Sequence, residues 1–173
     1  YIDGKGSQMD TVTFYRVDFE GNEALMNGGG LYFTRGNLTT ADTLSLEWCD
    51  IYYNKAGLSG GGIYVTGSTG AISIKTVIRT NSGVNIQSEI FYNEAGVSGG
   101  GIAVVDNQGT VTLDFIKMSN NTAGSYGGAL YVANSQNVLL TDMEVSNNSA
   151  GGWYFDQSNF LTRVTDLSRI GSG

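Results

Sequence analysis

The sequence predicts an all-β solenoid, a parallel β-helix of about five coils of 27–39 residues. Three observations predict it. The string Asn-x-Ala, followed by glycines and then an apolar-x-apolar triplet, occurs five times. A short alternation of apolar residues precedes each copy. Glycine supplies 26 of 173 residues, against a usual share of about 7%.

The copies run in order. The first is Asn22-Glu-Ala24, then Gly28-Gly29-Gly30-Leu31-Tyr32-Phe33. The second is Asn54-Lys-Ala56, then Gly60-Gly61-Gly62-Ile63-Tyr64-Val65, and the third is Asn93-Glu-Ala95, then Gly99-Gly100-Gly101-Ile102-Ala103-Val104. The fourth is Asn121-Thr-Ala123, then Gly127-Gly128-Ala129-Leu130-Tyr131-Val132. The fifth, Asn148-Ser-Ala150-Gly151-Gly152-Trp153-Tyr154-Phe155, is shortened between the alanine and the triplet.

Upstream of each asparagine the apolar positions are Val12, Phe14, Val17 and Phe19; then Leu44, Leu46, Cys49 and Ile51. They recur as Val111, Leu113, Ile116 and Met118, and as Val138, Leu140, Met143 and Val145. The third copy is slipped and reads Val84, Ile86, Ser88 and Ile90. Period-two alternation over a few residues is the strand period, and runs of glycine oppose helix. Each repeat therefore holds two or three short strands separated by turns. A single coil has too few inward side chains to offset the entropy of ordering its backbone, so the coils must stack with parallel strands about 4.8 Å apart.

Stacking gives each recurring residue a physical reason. Asn22, Asn54, Asn93, Asn121 and Asn148 form a ladder along the axis, because a primary amide both donates and accepts. The alanines are small inward residues at a corner. The glycines supply positive φ or close backbone approach.

The pair of motifs, an apolar residue three before asparagine and then Gly-Gly-(Gly/Ala)-(Ile/Leu), resembles the repeat of chlamydial polymorphic outer membrane proteins. Phe19-Glu-Gly-Asn22 and Gly127-Gly128-Ala129-Leu130 match that repeat literally. The resemblance spans residues 11–155 and implies a right-handed, pectin-lyase-like β-helix on a cell surface. Within that family type it is compatible with adhesins, passenger segments and structural surface proteins.

Composition bounds the function. The net charge is −7, with 9 lysines and arginines against 16 acids, which opposes nucleic-acid binding. No apolar run is long enough to span a bilayer. There is no histidine, and the aspartates Asp3, Asp10, Asp106, Asp114, Asp142, Asp156 and Asp166 are scattered. The arginines form no column. Polysaccharide lyases and hydrolases need a local cluster of acids, with a base or a cation, so no catalytic residue, metal site or cofactor is assigned. The loop Thr66–Ser82 is the longest insertion and the place where a substrate cleft would arise.

Rows of residues are the alternative to a catalytic centre. Tyr32, Tyr64, Tyr131 and Tyr154 share a column, interrupted by Ala103, and form a candidate interaction face. Asp18, Asp50, Glu89, Lys117 and Glu144 form a mostly acidic column, read as a solvated face. Three sequons place candidate glycans on Asn37, Asn120 and Asn147. The expectation is one β-helix segment over residues 1–173, a piece of a longer chain or a fibre-forming unit, extracellular or at the cell surface. Its expected role is a non-catalytic structural rod that associates with itself or with neighbouring segments of the same protein. The alternative is an adhesin or glycan-binding passenger segment, and a polysaccharide lyase or hydrolase ranks below both.

Overall fold

A computed structural model describes residues 2–3, 11–34, 43–67, 71–75, 87–135 and 137–152. The described residues form strands and turns with no helix, and so none that could cross a membrane. The chain winds as a parallel β-helix.

After the short strand β1 (Ile2–Asp3), the first coil holds β2 (Thr11–Tyr15), β3 (Phe19–Glu20), β4 (Glu23–Ala24) and β5 (Leu31–Thr34). The second holds β6 (Thr43–Glu47), β7 (Ile51–Tyr52), β8 (Lys55–Ala56) and β9 (Ile63–Thr66). The third holds β10 (Ile72–Lys75), β11 (Ser88–Phe91), β12 (Glu94–Ala95) and β13 (Ile102–Val105). The fourth holds β14 (Val111–Asp114), β15 (Ile116–Ser119), β16 (Thr122–Tyr126) and β17 (Leu130–Ala133). The fifth contributes β18 (Val138–Thr141), β19 (Glu144–Ser146) and β20 (Ser149–Gly152).

Equivalent strands stack into four sheets of five strands each, and every pairing is parallel. The expectation of two or three strands per coil is corrected to four. The extra strand is the Asn-x-Ala corner itself, whose two residues pair from coil to coil, as in Glu94 with Lys55 and Ala95 with Ala56. Two residues are too few to show an alternation.

The register sets the core. Leu44, Ile72, Val111 and Val138 align in one inward column, and Leu46, Ile74 and Leu113 in the next, all essentially solvent-free. Ile51, Ile90 and Met118 line the second sheet, and Ile63 with Ile102 the fourth. Cys49 lies inside at the corner between the first two sheets. Its backbone N–H donates to the Ser88 hydroxyl at 3.1 Å, and burial raises its thiol pKa.

The third coil differs from expectation. Ile72 and Ile74, not Val84 and Ile86, supply the first-sheet strand. Both pairs read apolar-x-apolar, so pattern alone could not choose between them. Within the Thr66–Ser82 insertion, Ile72–Lys75 is therefore a central strand with neighbours on both sides. Val84 and Ile86 lie outside the described residues.

The glycine corners bring the coils together. Gly60 has φ +67, and a Cβ on Gly100 would stand 2.5 Å from the carbonyl oxygens of Gly128 and Thr122. Backbone fills the space where a side chain would be.

Candidate functional site: columns along the coils

The five ladder asparagines lie in one column between the second and third sheets. Asn22 donates from Nδ2 to Oδ1 of Asn54 at 3.0 Å, Asn54 to Asn93 at 3.0 Å, Asn93 to Asn121 at 2.9 Å and Asn121 to Asn148 at 2.9 Å. Each of these acceptors also takes the backbone N–H of the preceding asparagine. The same Nδ2 groups reach back to backbone carbonyls of the preceding coil, as in Asn93 to Ile51 and Asn121 to Ile90 at 2.8 Å. Asn54, Asn93 and Asn121 are buried with their amides fully engaged, which leaves the column no capacity for a ligand.

The residue before each ladder asparagine adopts a left-handed backbone. These are Gly21, Tyr53, Tyr92, Asn120 and Asn147, with φ between 53° and 63°. Glycine and asparagine tolerate that conformation; a tyrosine there is strained. Two of the sequon asparagines thus hold backbone positions suited to asparagine for conformational reasons. Asn147 is exposed and Asn120 half-buried. Asn37 lies outside the described residues.

The two strained tyrosines build an aromatic cluster that pattern reading passes over. Tyr53 stacks on Tyr92 with centroids 5.2 Å apart, and Tyr52 stacks on Phe91 at 4.9 Å. Edge contacts join the pairs. Tyr53 is 57% exposed and Tyr92 49%. The Tyr52 hydroxyl donates to a Glu20 carboxylate oxygen at 3.0 Å. That hydrogen bond is the main reason the Tyr52 phenol pKa is raised.

The expected interaction face is less open. Tyr32 and Tyr64 align in register and stack at 5.3 Å, Ala103 continues the column, and Tyr131 follows it. Tyr32, Tyr64 and Tyr131 are each half-buried, and burial raises the Tyr64 phenol pKa. Tyr131 stacks with Tyr126 at 6.2 Å. Tyr154 lies outside the described residues.

The acidic column is interrupted where the register brings Lys117 between Glu89 and Glu144. Its Nζ lies 3.2 Å from Glu89 Oε1. Asp50 accepts the Glu89 N–H at 3.0 Å. Desolvation, with smaller contributions from the charges of Asp18 and Glu89, nevertheless holds the Asp50 carboxyl above its ordinary value. At the neighbouring corner the Arg16 guanidinium lies 4.6 Å from the Trp48 ring centroid and 5.3 Å from that of Tyr15. No group of acids or cysteines with metal-binding geometry occurs among the described residues.

Residues 116–133 match the Chlamydia polymorphic membrane protein repeat. The matched stretch runs through β15, the ladder asparagine Asn121, β16, the Gly127–Gly128 corner and β17. It thus covers three of the four walls of the fourth coil. The matched residues include the inward Met118, the ladder amide of Asn121 and the glycines of the close-approach corner, so the match falls on residues that build the coil. No curated protein and no solved structure matches the chain.

Proposed function

We propose that this chain is a segment of a cell-surface rod, non-catalytic and extracellular. The observation that carries the reading is the match of residues 116–133 to a polymorphic membrane protein repeat, on a coil whose construction recurs along the chain. The chemistry is that of a spacer. Its recurrent polar side chains, the ladder amides, are spent on one another, and Glu89, Lys117 and Glu144 follow one another along a single column. Association with further coils, of the same or another chain, would use the coil-to-coil hydrogen bonding that already joins its own. The test is protease shaving of intact producer cells, followed by electron microscopy of the released chain. Cleavage on intact cells and an elongated particle are expected; a chain cut only after lysis would overturn the reading.

A second reading, an adhesin, is favoured by the aromatic rings on two walls of the rod. For the half-buried Tyr64 and Tyr131, substitution by serine followed by glycan binding and solution mass separates the two. Lost glycan binding at unchanged mass supports adhesion. A lost oligomer supports assembly.

A further inference from the structure

Tyr53 and Tyr92 occupy backbone positions where the first, fourth and fifth coils place Gly21, Asn120 and Asn147. A bulky side chain in the left-handed region is strained. Stacking between the rings offsets part of that strain. About half of each residue's surface nevertheless faces water, where a partner can reach the rings. Gly21 brings no side chain over Tyr53 from the first coil: a Cβ added there meets nothing within 4 Å.

The surroundings of the rings are acidic. Glu20 holds the Tyr52 hydroxyl. Asp18 and Asp50 directly precede Phe19 and Ile51, which pair in register beside the Glu20–Tyr52 pair, so both carboxylates adjoin the rings. A ring face with carboxylates beside it attracts a cation that is weakly hydrated and planar, which describes guanidinium better than ammonium. The molecule itself holds a guanidinium on aromatic rings: Arg16 lies over Trp48 and Tyr15.

We propose that Tyr52, Tyr53, Phe91 and Tyr92, flanked by the carboxylates of Asp18, Glu20 and Asp50, form a docking face for an arginine-bearing polypeptide segment. The guanidinium planes lie on the open face of Tyr53 and along the ring edges, and the carboxylates receive their N–H groups. The inference goes beyond the surface-rod reading and does not rest on it.

The test uses the full chain and two labelled short peptides of equal charge, one alternating arginine with serine and one alternating lysine with serine. Binding is read by fluorescence anisotropy at low salt. The arginine peptide should bind several-fold tighter than the lysine peptide. The double variant Tyr53→Gly, Tyr92→Asn carries residues that other coils hold at the same position, and it should lose about tenfold in affinity. Should that variant fold poorly by circular dichroism, the surface variant Asp18→Asn, Glu20→Gln serves in its place and should weaken binding similarly. Equal binding of the two peptides, or binding unchanged in the variants, would mean diffuse charge attraction and overturn the site. No binding of either peptide would also overturn it. Binding of a neutral oligosaccharide that the double variant abolishes, while the peptides bind unchanged, would assign the face to glycans instead.

Discussion

Asn93 and Asn121 share one acceptor arrangement: the Oδ1 of Asn121 takes both the backbone N–H of Asn93, at 3.0 Å, and its side-chain Nδ2, at 2.9 Å. Asn93 Oδ1 does the same for Asn54. Replacing Asn93 by leucine orphans donors on Asn54 and the carbonyl of Ile51 in a buried place. Each such group costs about 1–3 kcal/mol, so a total loss of at least ~3 kcal/mol is expected in denaturant unfolding. A loss below ~1 kcal/mol would mean that water replaces the ladder.

Gly100→Ala and Gly21→Ala separate two demands on glycine. At Gly100 the new methyl meets the carbonyls of Gly128 and Thr122, and the coils must move apart, at about 1–3 kcal/mol. At Gly21 there is open space and only φ +63 to accommodate, so about 1–2 kcal/mol is expected. Gly21→Asn should be milder than Gly21→Ala, because Asn120 and Asn147 hold the same conformation. Chemical denaturation of the three variants checks the order.

Asp50 makes stability depend on pH. Its folded pKa is raised above the ordinary 3.8, chiefly by desolvation. A raised folded pKa means that the protonated form is favoured in the fold. The contribution is fully present below the ordinary carboxylate value and is lost as pH rises through the folded one. Asp50→Asn retains an oxygen to accept the Glu89 N–H while removing the charge. It should raise the melting temperature at pH 7 and change it little at acid pH. A lower melting temperature at pH 7 would show that the charge on Asp50 is stabilising.

Tyr53→Asn with Tyr92→Asn should cost under about 1 kcal/mol, because relief of backbone strain offsets the lost stacking. Thermal unfolding decides. A loss of several kcal/mol would make the rings structural and remove the motive for a docking role.

The parts of this fold legible in the sequence are those where stacking repeats a side chain. The asparagine column, the alanine column and the alternating core positions recur because each must meet its own kind one coil away. The third coil shows the limit: Ile72-Ser-Ile74 and Val84-Asn-Ile86 satisfy the same local pattern, and only pairing with Leu44 and Leu46 distinguishes them. Tyr53 and Tyr92 were missed for another reason. They sit at a turn, where strand alternation gives no expectation. A signal was nonetheless present, since the residue before the ladder asparagine is Gly, Tyr, Tyr, Asn and Asn in turn. Three of the five are types that tolerate a left-handed backbone.

The ladder spans 32, 39, 28 and 27 residues between successive asparagines without altering its geometry. The interior therefore registers which residues meet, not how much chain separates them. Such a molecule is a ruler with interchangeable graduations. Recombination between two copies of the repeat would add or remove a whole graduation, about 4.8 Å of reach, and leave every column continuous. Reach can thus evolve by duplication alone, independently of the length of chain between successive asparagines.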